Sequence, residues 1–332
     1  MKKFLVDLFK IEKHPLKGLM AVEKVVMVYL LLTLVLAFFM YTKLANPMEV
    51  MMGRVRIVAI TVALWGVYRI LPCRGMRFVR VLVQMALLAW WYPDTYELNR
   101  IFPNLDHIFA TWEQSLFGCQ PALLFSKAVP SYIFSELFDM GYAAYYPMIV
   151  VVMFAFFFRH NELLGRAAFV ITAAFFIYYL IFDFLPVAGP TYYYKAVGID
   201  QIAQGCFPAI GDYFNTHQEC LPTPGHTHGI FYQMVQDAKD VGERPTAAFP
   251  SSHVSISTIC MLLLWRVHSR RLFWCLLPIY IFLCLATVYI QAHYVIDALA
   301  GFLTAIPLFF LLWTLGGLWE LRRPTKANRK KL

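Results

Sequence analysis

Two histidines and one aspartate carry the spacing that chemistry needs. The stretch TVYIQAHYVIDALAGFL holds His293 and Asp297 four residues apart, which on a helix puts them on one face. A carboxylate one turn from an imidazole accepts its Nδ1 proton, fixes the tautomer and leaves Nε2 free to attack or to take a proton. The bland alternative is that Asp297 only caps or pairs within a helical bundle. The second histidine, His253, follows Pro250, Ser251 and Ser252 at the start of an apolar run. Proline suits the first turn of a helix and serine its cap, and the free N–H groups there attract anions. FPSSH therefore predicts an anion held at a helix start with a histidine beside it. A capped helix with a solvent-facing histidine is the alternative.

A bound phosphate also calls for fixed positive charge. Lys195 in GPTYYYK and Arg244, nine residues before His253, are the candidates. An arginine binds phosphate bidentately and a lysine as a point charge. His226 and His228 in PTPGHTHG could form half of a metal site, but no cysteine or carboxylate stands at ligand spacing beside them. No metal and no cofactor is expected. Asp183, in or at the edge of an apolar run, is expected to pair with a neighbouring helix.

The elements that must position these groups are membrane helices. The chain of 332 residues is 60% hydrophobic and only 15% charged, with a mean hydropathy of +0.59. Soluble domains carry about 25% charged residues. At roughly 20 apolar residues per crossing, spans fall near 23–44, 55–72, 77–93, 135–158, 164–186, 250–267, 272–291 and 294–317. The expected fold is thus an all-α polytopic bundle of about eight spans. Its expected parts are residues 1–76 with two accessory spans, a six-helix core over 77–318 and a basic tail over 319–332. Arg56, Arg69 and Arg80 lie near span ends, where long side chains snorkel to the interface.

The net charge of +9 does not mark a nucleic-acid binder. Lys2, Lys3, Lys10, Lys13 and Lys17 crowd the start, and Arg322, Arg323, Lys326, Arg329, Lys330 and Lys331 the end. Arg74, Arg77 and Arg80 follow the second span, Arg159 and Arg166 the fourth, and Arg266, Arg270 and Arg271 the sixth. All share one face under eight spans, which the positive-inside rule makes cytoplasmic, with both termini. The first apolar stretch reads as a span rather than a cleaved signal. His253, His293 and the loop 187–249 then face the extracytoplasmic side. That Gly- and Pro-rich loop is expected to be largely irregular. Cys206 and Cys220 within it could bridge in an oxidising compartment. Residues 94–134 include a stretch around Asp106, His107 and Glu113 that suits an interfacial or re-entrant helix ending at Gly118.

The order of these pieces resembles the type 2 phosphatidic acid phosphatase superfamily of membrane enzymes. Pro250-Ser251-Ser252-His253 opens the fourth of the last six spans, and His293-Tyr294-Val295-Ile296-Asp297 precedes the sixth, over roughly residues 77–318. The resemblance implies that His293 is a nucleophile forming a phosphohistidine, oriented by Asp297, and that His253 is the general acid. It implies that Ser251 and the amide of Ser252 hold phosphate oxygens, and that the substrate is a phospholipid or lipid phosphate. Two departures stand out. Ala286-Thr287 occupies the place of the phosphatase branch's Ser-Arg, and Lys195 and Arg244-Pro245 are separate fragments of the motif K-x-x-x-x-x-x-R-P. GPTYYY, FPSSHVS and HYVIDALAG are more similar to the inositol phosphorylceramide synthase branch, which moves a phosphorylated polyol head group between lipids. Hydrolysis by water is the alternative within the family. A lipid-binding or transport protein is the alternative of another class, against which no inverted repeat is visible.

Overall fold

The computed structural model describes residues 8–321. Lys2, Lys3 and the basic residues from Arg322 onward, on which part of the charge argument rests, lie outside them. Among the described residues there are helices and no strands, with one isolated bridge between Ile11 and Cys73. The all-α expectation holds.

In chain order the helices are α1 (Ala21–Phe39), α2 (Pro47–Ile70), α3 (Arg74–Ala86), α4 (Leu88–Asn99), α5 (Asp106–Phe117), α6 (Pro121–Ala128), α7 (Tyr132–Ala143) and α8 (Tyr145–Arg159). After them come α9 (Leu164–Phe184), α10 (Pro190–Val197), α11 (Ile199–Ala203), α12 (Ile230–Gly242), α13 (Ser252–Arg266), α14 (Arg270–Tyr289) and α15 (Val295–Leu321). Five helices are long and apolar enough to cross a membrane, or six when α7 and α8 count as one span bent by 52°. The bend has a local cause: Pro147, in the first turn of α8, has no N–H to offer the carbonyl of Ala143.

Two expected spans look different in the structure. The stretch 77–93 is split between α3 and α4 at Leu87, and the 13 residues of α3 carry Arg74, Arg77, Arg80 and Gln84. The stretch 250–267 becomes α13, only 15 residues long, with serines, a threonine and a histidine in its first two turns.

The chain divides into two compact units. One comprises the chain up to Tyr92, Met153–Phe176 and the part from Phe309 onward; the other comprises Pro93–Val152 and Ile177–Leu308. The first unit is built around aromatic and ionic contacts. Tyr29 stacks on Phe176 at 4.0 Å and meets Trp91 edge-on at 5.0 Å. Arg80 does not snorkel as expected: it is fully buried and pairs with Glu23, Nε to Oε1 2.7 Å, with both side chains unexposed. A buried guanidinium needs such a bidentate partner. Arg56 and Arg69 are exposed, as snorkelling requires.

The second unit contains every candidate site residue. Its core has one cluster around Phe138, Tyr142, Val235, Ala286 and Tyr289, and another around Phe109, Tyr193, Tyr194, Ala248 and Tyr294. The loop 187–249 is more regular than expected, since it holds α10, α11 and α12. Its glycines and prolines punctuate helices instead of preventing them: Pro190 occupies the first turn of α10, and Gly198, at φ +99°, separates α10 from α11. Cys206 and Cys220 are both free. The helix expected before Gly118 is α5, and Gly118 closes it in the left-handed conformation at φ +70°.

Candidate active site

The site is assembled where the start of α13 meets the corner between α14 and α15. Ser251 caps α13, its hydroxyl accepting the Val254 N–H at 3.4 Å. Its own N–H donates to the carbonyl of Asp297 at 3.0 Å, which ties α13 to the first turn of α15. A Cβ on Gly301 would lie 2.5 Å from the Ser251 carbonyl oxygen, so only glycine permits this approach. Pro250 precedes the cap and does not enter the first turn.

His253 lies in the first turn of α13 between two tyrosines. Its ring stacks on Tyr142 at 4.6 Å and 24°, and lies 4.4 Å from Tyr145. The Tyr145 hydroxyl donates to the Ser252 carbonyl at 3.3 Å. His293 sits before α15, not on it, in a corner where Gln291 has φ +64° and the His293 N–H donates to the Thr287 carbonyl at 2.9 Å. Nε2 of His293 is 3.4 Å from Nδ1 of His253.

The tautomer follows from the other side of the ring. His293 Nδ1 lies 2.8 Å from the carbonyl oxygen of Ala248, which can only accept. Nδ1 therefore carries the proton, and the Nε2 lone pair faces His253. Ala248 is itself anchored, its N–H donating to Val187 at 2.9 Å. The expected Nδ1–Asp297 hydrogen bond is absent: Asp297 Oδ2 stands 3.7 Å away and accepts the Tyr294 N–H at 2.9 Å. The Asp297 carboxyl caps the start of α15 through that contact. Burial pushes His293 down to about 4, against the Ala248 carbonyl and the Glu243 charge, which favour the proton. The ring is thus neutral at pH 7.

A carboxylate distant in sequence supports this corner. Asp106, fully buried at the start of α5, accepts the N–H groups of Ala188 at 2.6 Å and Gly189 at 2.9 Å, the Tyr294 hydroxyl at 3.1 Å and the Asn104 amide at 2.6 Å. Gly189 must be glycine twice over: its φ is +90°, and a Cβ would lie 2.5 Å from the Ala292 carbonyl oxygen. Glu113, also buried on α5, accepts the Ile296 N–H at 3.3 Å. Burial first, then the neighbouring Asp297 charge, raises its carboxyl to about 8. Both acids were visible on the expected helix, but nothing local in the sequence connects them to His293.

Ser251, Ser252, His253, His293 and Asp297 thus come together. Lys195 is exposed near the end of α10. Arg244 is half-buried and donates to the Glu243 carbonyl at 3.2 Å. Neither makes a hydrogen bond or ion pair with the histidine pair among the described residues. The charged side chain that does reach the pair's walls is acidic, Glu243, whose Oε1 accepts the Tyr142 hydroxyl at 2.9 Å. His226 and His228 lie with ring centroids 5.7 Å apart, and His226 packs on Tyr132. Among the described residues no cluster of three or more His, Cys, Asp or Glu is arranged to hold a metal. Asp183 is buried near the end of α9.

Comparison with characterised proteins and with solved structures returned no match. The family profile described as PAP2 superfamily matches residues 106–311, which include the histidine pair, Asp297 and the supporting acids of α5. Members of that superfamily are phosphoesterases or phosphotransferases acting on lipid phosphates. With more than half of its length matched, this chain belongs to the PAP2 superfamily and is a membrane enzyme of that phosphoester chemistry.

Proposed function

We propose that this protein is a lipid phosphotransferase similar to inositol phosphorylceramide synthases, moving a phosphorylated head group from a phospholipid to the hydroxyl of another lipid through a phosphohistidine on His293. The observation that carries the reading is the buried, neutral His293, its Nδ1 tied to Ala248 and its Nε2 lone pair facing His253 at 3.4 Å.

Nε2 of His293 attacks phosphorus, and the departing lipid alkoxide takes a proton from His253. The acceptor hydroxyl then returns a proton to His253 as its oxygen attacks phosphorus and frees His293. Ser251, Ser252 and the free amides of the first turn of α13 face the phosphoryl oxygens, with Lys195 or Arg244 as the cation. Reacting contacts of about 3–3.5 Å on each side of phosphorus require the two imidazoles to part as substrate enters. Asp297 stabilises the charge that His293 gains on attack.

Transfer is favoured over hydrolysis by what stands in place of the phosphatase branch's Ser-Arg. Ala286 and Thr287 are fully buried beneath His293, and the Thr287 carbonyl holds its N–H. The charge pattern of the loops supports cytoplasmic termini and a site on the extracytoplasmic face. Incubation of the purified protein with a labelled donor phospholipid and a ceramide tests the reading. A new phosphorylated lipid supports it; free phosphate or a free phosphorylated head group alone would mean that water is the acceptor.

A further inference from the structure

An acid and a base are buried outside the histidine pair, and neither has a hydrogen-bond partner among the described residues. Asp139 on α7 has no exposure and Lys239 on α12 has 4%. Neither carboxylate oxygen of Asp139 and not the Nζ of Lys239 has a hydrogen-bond partner among the described residues. The Lys239 charge is nevertheless close enough to act on the carboxylate. Desolvating both groups without joining them is costly, and buried polar groups are ordinarily satisfied. The helices that carry them are packed together: Glu136 of α7 reaches the first turn of α12, 3.4 Å from the N–H groups of Phe231 and Tyr232. Gln236, one turn before Lys239, also has an unpartnered Nε2.

The place of this pair relative to the chemistry follows from helix geometry. Tyr142 is three residues beyond Asp139 on α7, about 4.5 Å along the same face. Glu243 is four residues beyond Lys239. The Tyr142 hydroxyl donates to Glu243, and the Tyr142 ring stacks on His253. Asp139 is thus one helical turn from the residue that stacks on His253, and Lys239 one turn from the residue that holds that tyrosine.

The chemistry of the missing partner is constrained from both sides. A cationic head group would suit Asp139 and be repelled by Lys239, and a second phosphate the reverse. A neutral hydroxyl donates to the carboxylate and accepts from the ammonium at once. We propose that Asp139 and Lys239 form a hydroxyl-binding subsite for a substrate of the histidine pair. Its ligand is a free hydroxyl borne either by the donor head group or by the acceptor lipid. The proposal rests on the phosphotransfer reading above.

The full chain in proteoliposomes tests it with two donors, phosphatidylglycerol with a hydroxylated head group and phosphatidylethanol without one. Each is paired with an acceptor carrying one or two hydroxyls. The wild-type protein is expected to favour the hydroxyl-bearing substrate on one side of the reaction by about 10- to 100-fold in kcat/KM, the loss expected for a hydrogen bond to a charged group. Asp139→Asn and Lys239→Gln should each remove most of that preference while leaving phosphatidylethanol with the one-hydroxyl acceptor within about twofold of the wild type. If the preference follows the donor, the hydroxyl belongs to the head group; if it follows the acceptor, to the second lipid. Equal wild-type rates on all combinations, or variants that slow every combination by one factor, would overturn the subsite. Activity surviving in His293→Ala would instead overturn the phosphotransfer reading, whatever the substrate ratios.

Discussion

Nδ1 of His293 lies 2.8 Å from the carbonyl oxygen of Ala248, and this contact, not the aspartate one turn on, holds the ring. Asp297 stands at 3.7 Å. In the proposed mechanism its part is electrostatic, on the order of 1–4 kcal/mol for two nearby, partly screened charges. Asp297→Asn should lower turnover about 10- to 100-fold, whereas His293→Ala and His253→Ala should abolish it. Turnover of labelled donor lipid by the three variants checks this, and an Asn variant as inactive as His293→Ala would contradict it.

The low proton affinity of His293 has a consequence for stability. Its folded value of about 4 lies below the ordinary value near 6.5. Between those limits the unfolded chain binds more protons than the folded one. Stability contributed here is present above about pH 6.5 and is lost as the pH falls toward 4. Thermal unfolding in detergent at pH 4.5 and 7 should show a smaller difference in His293→Gln than in the wild type.

Glu113 works in the opposite sense. Its carboxyl is raised to about 8, so the folded protein binds more protons between about 4.5 and 8. Stability therefore falls as the pH rises through that window. Glu113→Gln keeps an acceptor for the Ile296 N–H and cannot ionise. The variant should match the wild type near pH 4.5 and unfold at a higher temperature at pH 8.5. An unchanged difference between the two pH values would count against it.

Asp106 is expected to be the most costly of the supporting residues. Its removal leaves two backbone N–H groups, the Tyr294 hydroxyl and the Asn104 amide without their acceptor. Asp106→Ala should destabilise the protein by about 3–5 kcal/mol and lower turnover, because Tyr294 adjoins His293. A wild-type melting temperature in this variant would show that the corner stands without it.

The parts of the site that could be read in the sequence are those written in local spacing. His293 and Asp297 are four apart, and Ser251 to His253 form one helix start, so pattern alone brings each group into view. Ala248 could not be found that way: it acts through its backbone, from 45 residues away. Glu243 and Tyr142 meet across 101 residues. Apolar length located the long helices, but it missed what packing does to charge. Arg80 looked like an interfacial residue until Glu23, 57 residues earlier, was found opposite it. The loop 187–249 misled for a related reason, since the glycines and prolines that suggested irregular chain are the ends of its helices.

A covalent role for His293 can be caught by trapping the intermediate. Purified protein is mixed with a donor lipid labelled at phosphorus, quenched in alkali within the first turnovers and assayed for protein-bound label that is stable to base and released by acid. Such label is expected in the wild type and none in His293→Ala. Label that persists in His293→Ala, or turnover by the wild type with no acid-labile label at any time, would contradict it.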